Sequence, residues 1–219
     1  MTLGVRINQT KYSVFKWRYE LAIPRKLALA LGVAALTGLL AQLKFYLPWS
    51  PVPVTGQTFG ALLAGVMLGT WWGGISMALY IGLGAAGLPW FQGFQGGAAY
   101  LTGPTGGYII GFILAALFVG YFTDKYVRAR SFSVMLGLML FSSFVLIYGP
   151  GLLQLGLWLN LAKGTPASFG HLLMIGAVPF LAGDAIKTVA AAGLARAVTP
   201  KAAYGKEADG DKWVGWRLP

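Results

Sequence analysis

Cysteine is absent from this 219-residue chain, and histidine occurs once, as His171. The first absence excludes disulfides, thiolate metal sites and a cysteine nucleophile. The second leaves little from which to build a histidine metal centre. Charge is scarce as well: 11% of residues are Asp, Glu, Lys or Arg, against 57% hydrophobic, whereas a soluble domain carries about a quarter charged. The glycine clusters lack the GK[ST] ending of a phosphate-cradling loop, so the chain is not expected to hydrolyse ATP itself. Catalysis is not expected either. Asp184 is the only acid inside an apolar segment, where an intramembrane aspartyl protease needs two. Ser76, Ser142, Ser143 and Ser168 have only His171 as a possible base, and His171 falls at a helix start.

What the chain does have is hydrophobic length. Several apolar runs approach the roughly 20 residues that cross hydrocarbon, which predicts an all-α, multi-pass membrane protein with one domain. Residues 1–24 lack the apolar core of a cleavable signal, so the first apolar segment reads as a signal-anchor. Residues 1–26 form a basic leader carrying Arg6, Lys11, Lys16, Arg18, Arg25 and Lys26, with Trp17 and Tyr19 suited to a membrane interface. Residues 27–198 accommodate six transmembrane helices, at about 27–46, 58–70, 73–88, 105–122, within 134–159, and 171–196. The uncharged run 59–88 is split in two because only then do Lys125, Arg128 and Arg130 fall on the cytoplasmic side. Gly149-Pro150-Gly151 should kink or break the fifth helix, and Pro179 should restart the sixth. Residues 199–219 read as a polar, weakly ordered cytoplasmic tail. With N and C termini both cytoplasmic, fourteen of the 17 Lys and Arg lie inside, Lys44 and Lys163 lie outside, and Lys187 is intramembrane. The net charge of +11 is then a topology signal and not a footprint for nucleic acid.

The chemistry concentrates in Gly183-Asp184-Ala185-Ile186-Lys187. A carboxylate and an ammonium at i and i+3 share one helix face, and each costs about 2.5–3.5 kcal/mol near the middle of a membrane helix. Such a pair marks a functional site, or else a self-neutralising bridge in a membrane scaffold with no ligand. Two loops could cover a site at the external end. Residues 47–57, from Leu47 to Gln57, hold three prolines within six residues and favour an extended, stiff lid, though a plain loop has the same composition. Residues 89–107 are rich in glycine and carry Trp90, Phe91, Gln92, Gln95 and Tyr100, aromatics and amides that suit a compact ligand with polar edges. Ala30, Ala34 and Gly38 make a stripe of small residues on the first helix, open either to a partner helix or to neighbours in the bundle.

Four segments in one order resemble the BioY family: 50–59 (SPVPVTGQTF), 80–89 ending GAAGLP, 103–108 (GPTGGY) and 183–187 (GDAIK). The resemblance covers about residues 27–197. It implies a biotin-specific S component of an energy-coupling factor transporter: a six-helix bundle in a prokaryotic plasma membrane that binds biotin from outside. The implied partners are a transmembrane coupling subunit and two cytosolic ATPase subunits; biotin is cargo, and no metal or cofactor is implied. On that resemblance Asp184 accepts from the ureido N–H groups and Lys187 donates to the ureido oxygen or the valerate carboxylate. Gln92 or Gln95 supplies an amide, Trp90, Phe91 and Tyr100 pack on the bicyclic ring, and Gln57 belongs to the covering segment. Ala30, Ala34 and Gly38 would meet the coupling subunit. An S component for another vitamin is a near variant.

Overall fold

The computed structural model describes residues 3–203 and 207–210. Helix α1 (Leu3–Glu20) turns at Ala22 into α2 (Ile23–Gln42), where Pro24 occupies the first helical turn, the place a missing N–H costs nothing. Among the described residues, four helical segments are long and apolar enough to cross a bilayer: Ile23–Gln42, Gly106–Lys125, Phe132–Leu161 and Phe169–Val198. Between the first two of these lie α3 (Gln57–Leu68) and α4 (Thr70–Ala85), shorter and equally apolar, and a single turn, α5 (Ala98–Leu101), in the glycine-rich loop. Gly69, at φ +82°, makes the one-residue turn that joins them and packs against the Asp124 carboxylate, a conformation and a space that only glycine fits.

The centre of the bundle is α6 (Gly106–Lys125), which packs against α3, α4 and α8 (Tyr148–Leu161). It can do so because its inward positions are small. A Cβ on Gly111 would stand 2.7 Å from the backbone of Ile147, and one on Gly120 2.6 Å from that of Gly69. Without a hydrophobic force between helices in lipid, such close backbone approach is how they gain contact. The small residues Ala30, Ala34 and Gly38 of α2 also face inward. Ala30 and Ala34 are fully buried, the Ala30 carbonyl accepts from Ser76 Oγ at 2.8 Å, and Gly38 lies beneath Trp90. That stripe packs against α4 and the glycine-rich loop within the chain and is not presented at the surface, where the coupling-subunit contact expected from sequence would need it.

The first long helix stops at Gln42 rather than running on to Tyr46. The chain instead forms β1 (Lys44–Phe45), paired antiparallel with β2 (Val54–Thr55), so the proline-rich segment is the loop of a short hairpin. In the fifth long segment α7 (Phe132–Phe141) passes through a π-helical stretch, Ser142–Ile147, into α8. Gly149-Pro150-Gly151 lies inside the first turn of α8 without breaking it. Pro150 cannot donate to the carbonyl four residues back and would crowd it, and the widened turn immediately before it relieves that conflict. After α8, Ser168 caps α9 (Phe169–Gly176) by accepting from the His171 N–H. A 3-10 turn, Val178–Phe180, carries Pro179 and restarts the helix as α10 (Leu181–Val198).

The bundle has two polar ends. At the basic end, Arg18 of α1 donates from Nη1 to the Val66 carbonyl at 2.6 Å and from Nη2 to Asp124 Oδ1 at 2.7 Å. Arg18 and Arg130 both lie over the Phe15 ring. The leader is thus docked on the bundle through buried Phe15, Arg18 and Leu21, beyond resting on an interface. Part of the tail is docked as well: Glu207 pairs with Arg130 at 2.8 Å with both side chains buried, and Asp209 accepts from the Val127 and Arg128 N–H groups. Residues 207–210 of the tail thus pack on the bundle; residues 204–206 and 211–219 lie outside the described residues. The other end, where the hairpin and the glycine-rich loop meet, holds the cavity.

Candidate functional site

Asp184 sits in the first turn of α10, where the exposed N–H dipoles favour a negative charge. Its burial is set by what surrounds it: the residue is 4% exposed, and Tyr148 Oη donates to its Oδ2 at 2.5 Å. Lys187, one turn on, pairs with Oδ1 and also donates to the Thr55 carbonyl of β2 at 2.7 Å. The ion pair therefore bridges α10 to the hairpin and meets α8 through a tyrosine. A carboxylate offers about four acceptor positions, and Asp184 fills two of them with side-chain donors.

A cavity opens beside this pair. The hairpin residues Val52, Pro53, Val54 and Thr55 form one wall, with Gln57 and Thr58 from the start of α3. Tyr108, Ile109 and Phe112 of α6 form the floor with Ile147, Tyr148 and Phe180, and Gln92, Tyr100 and Thr105 close the far side. The space open to the centre of a water molecule is about 50 Å³. One water needs about 10–15 Å³ by that measure, so the space holds a few waters as it stands.

Of the residues picked from sequence, Asp184, Lys187, Gln57, Gln92 and Tyr100 are brought together around the cavity. Gln95 is not: it is exposed, and its backbone carbonyl pairs with the Phe91 N–H. The turn between these residues holds Gly93 at φ +74° and Phe94 at φ +57°. That geometry aims Gln92 inward and Gln95 outward, a direction no spacing rule predicts. Trp90 and Phe91 do not line the cavity either. Trp90 donates from Nε1 to the Tyr80 carbonyl at 2.8 Å, and Phe91 is fully buried over Gly84, stacked on Tyr100 at 4.7 Å. They are the layer beneath, holding Tyr100 in place.

Tyr100 carries the least expected feature. Its hydroxyl is buried and has no hydrogen-bond partner among the described residues; burial, the largest effect, raises the hydroxyl above its usual pKa, opposed by Thr105 and Gln92, which face it without completing a bond. It is a neutral donor waiting for an acceptor. Sequence reasoning missed Tyr108 and Tyr148. Tyr108 donates to the Gly176 carbonyl at 2.7 Å and meets Tyr148 edge to face, fixing the ring that holds Asp184. The only signal was the GPTGGY segment, which ends on Tyr108; Tyr148 had none, since tyrosines in apolar helices look like interfacial anchors.

The family model for the BioY family matches residues 9–204. The chain belongs to the BioY family. A BioY relative from Methanothermobacter thermautotrophicus, named "Probable biotin transporter BioY", is 52% identical over 157 residues, covering 72% of this chain and 100% of the relative. The "Biotin transporter BioY" of Thermotoga maritima is 38% identical over 146 residues, 67% of this chain and 80% of its own length. Among solved structures, the fold is similar to the S-component for biotin from an ECF-type ABC transporter, with a TM-score of 0.69 and 26% identity, covering 78% of this chain and 89% of that one. The BioY match takes in the hairpin, the glycine-rich loop and α10, the three elements that bring the cavity's polar groups together.

Proposed function

We propose that this chain is the biotin-capturing S component of an ECF-type transporter, a membrane subunit that binds and delivers its cargo and carries out no catalysis. The observation that carries the reading is the cavity itself: a buried carboxylate with spare acceptor capacity, an ammonium beside it and an unpartnered tyrosine hydroxyl, within apolar walls. Biotin presents a ureido group with two N–H donors and a carbonyl, an apolar thioether ring and a carboxylate on a chain. Asp184 accepts from the ureido N–H groups. Tyr100 and Gln92 offer donors to its carbonyl, and Lys187 gives up the Thr55 carbonyl for the ureido oxygen or the chain carboxylate. Gln57, buried at the start of α3, adds a second amide to the cavity wall. Relatives named as biotin transporters support the same ligand.

In this reading α2, α3, α4, α6, the α7–α8 segment and the α9–α10 segment are six spans in the plasma membrane. The cavity faces outward and both termini lie in the cytoplasm, an arrangement supported by the collection of Arg18, Lys125, Arg128 and Arg130 at the opposite end. Lys187 ties β2 to α10, and its release of the Thr55 carbonyl frees the hairpin to move as the ligand enters. A transmembrane coupling subunit and two cytosolic ATPases then supply the energy that this sequence has no motif to supply. The test is a biotin titration of the detergent-purified protein, with thiamine and riboflavin as competitors, alongside Asp184→Asn and Lys187→Ala. Tight binding that both folded variants lose is expected; a folded wild type that does not bind biotin overturns the reading.

A further inference from the structure

The end of α2 reaches into the glycine-rich loop through one side chain that touches no part of the cavity. Gln42 Oε1 accepts from the Gly93 N–H and the Phe94 N–H, each at 3.0 Å. Its Nε2 donates to the Phe91 carbonyl and the Gly38 carbonyl, each at 3.0 Å, with the Trp90 carbonyl at 3.4 Å. One amide therefore grips the loop on both sides of Gln92. It also satisfies the two N–H groups that the left-handed conformations of Gly93 and Phe94 turn away from any helix or strand. From the hairpin, Tyr46 Oη donates to Gln92 Oε1 at 2.7 Å. That bond takes one of the two acceptor positions of the Gln92 oxygen and orients the amide, so that its NH₂ is offered to the cavity, which Gln92 lines while 7% exposed.

We propose that Gln42 is a positioning residue for ligand recognition: it locks the backbone on either side of Gln92, and with Tyr46 it presents the Gln92 NH₂ as a fixed donor to a ligand carbonyl. The inference rests on the assignment of the cavity as the biotin site. The role needs an amide. A carboxylate could accept from Gly93 and Phe94 but not donate to Phe91, and a thioether of the same length can do neither. Precise placement matters here because a loop donor that must first be ordered spends binding free energy on ordering.

The test is a double-variant cycle with biotin, read in parallel with hydrogen exchange. Gln42→Met in the folded protein is expected to weaken biotin binding by roughly tenfold, the equivalent of one ligand hydrogen bond to a placed donor. Gln92→Ala is expected to cost about as much, and the double variant no more than either, because Gln42 acts through Gln92. A residue that only stabilises the fold would instead weaken binding equally in both backgrounds. Amides at 91–95 are expected to exchange faster in Gln42→Met while α10 stays protected. Gln42→Glu, which keeps shape and acceptor, serves if the methionine variant does not fold, and is expected to lose binding by a smaller factor that Gln92→Ala again abolishes. Unchanged affinity in a wild-type-like binder, or additive losses, overturns the proposal alone. A wild type that binds no biotin overturns the site assignment and this proposal with it.

Discussion

Asp124 and Asp184 occupy opposite ends of the bundle and make opposite use of the same chemistry. Asp124 receives Arg18, Tyr19, the Thr70 N–H and the Thr70 hydroxyl, so each oxygen takes two donors and all its acceptor positions are filled by the chain. Asp184 takes one donor on each oxygen from Tyr148 and Lys187 and looks onto a cavity. A saturated carboxylate is a structural clamp, and a half-saturated one beside a space is a place for a ligand. Burial alone does not tell a clamp from a site: the less saturated Asp184 is the more buried, its side chain 6% exposed against 21% for Asp124. The count of donors does.

Four substitutions break or sharpen that contrast. The largest effect is expected from Asp124→Ala, which strands the buried Arg18 guanidinium and should cost about 3 kcal/mol of stability. A thermal melt should fall sharply, with biotin affinity unchanged in whatever protein remains folded. Asp184→Asn should do the reverse, lowering biotin affinity about a hundredfold, roughly 2.7 kcal/mol, while the melting midpoint moves little. If Asp184→Asn unfolds the protein and Asp124→Ala does not, the roles are exchanged. Next comes Tyr148→Phe, which frees Asp184 to rotate; calorimetry should show about tenfold weaker biotin binding, near 1.4 kcal/mol. The smallest effect is expected for Tyr100→Phe, which removes a hydroxyl that has no partner. Affinity should drop a few-fold, and the ligand-free protein should be as stable as the parent or slightly more so, because a buried unpaired polar group costs about 1–3 kcal/mol. Lower ligand-free stability would show that this hydroxyl has a partner after all.

The site's charges were legible because a carboxylate and an ammonium stand out in an apolar run, and Pro179 announced the restart that sets them near the cavity end. The outline of helices was legible for the same reason. What could not be read depends on direction rather than composition. Ala30, Ala34 and Gly38 show a close-packing face but not which neighbour fills it. Gln92 and Gln95 are three residues apart in one loop, and two positive φ angles between them decide which enters the cavity. Glu207 meets Arg130 across 77 positions of sequence, a pairing no local pattern encodes. Tyr108, Tyr148 and Gln42 act by holding other residues, and positioning groups carry no signature of their own.

The π-helical stretch has a consequence for how the fifth long segment changes neighbours. Six of its buried residues, Met135, Met139, Ser143, Ile147, Gly151 and Leu155, form a seam that recurs every four positions. On a regular α-helix each such step drifts by about 40°, and five steps would wind the seam about 200° around the axis. The widened turn at Ser142–Ile147 absorbs close to one residue and so takes back about 100°. The remaining rotation hands the segment over: α7 lies against α10, and α8 against α6. Tyr148 stands at the handover, the one place from which a single ring touches Tyr108 on one neighbour and Asp184 on the other.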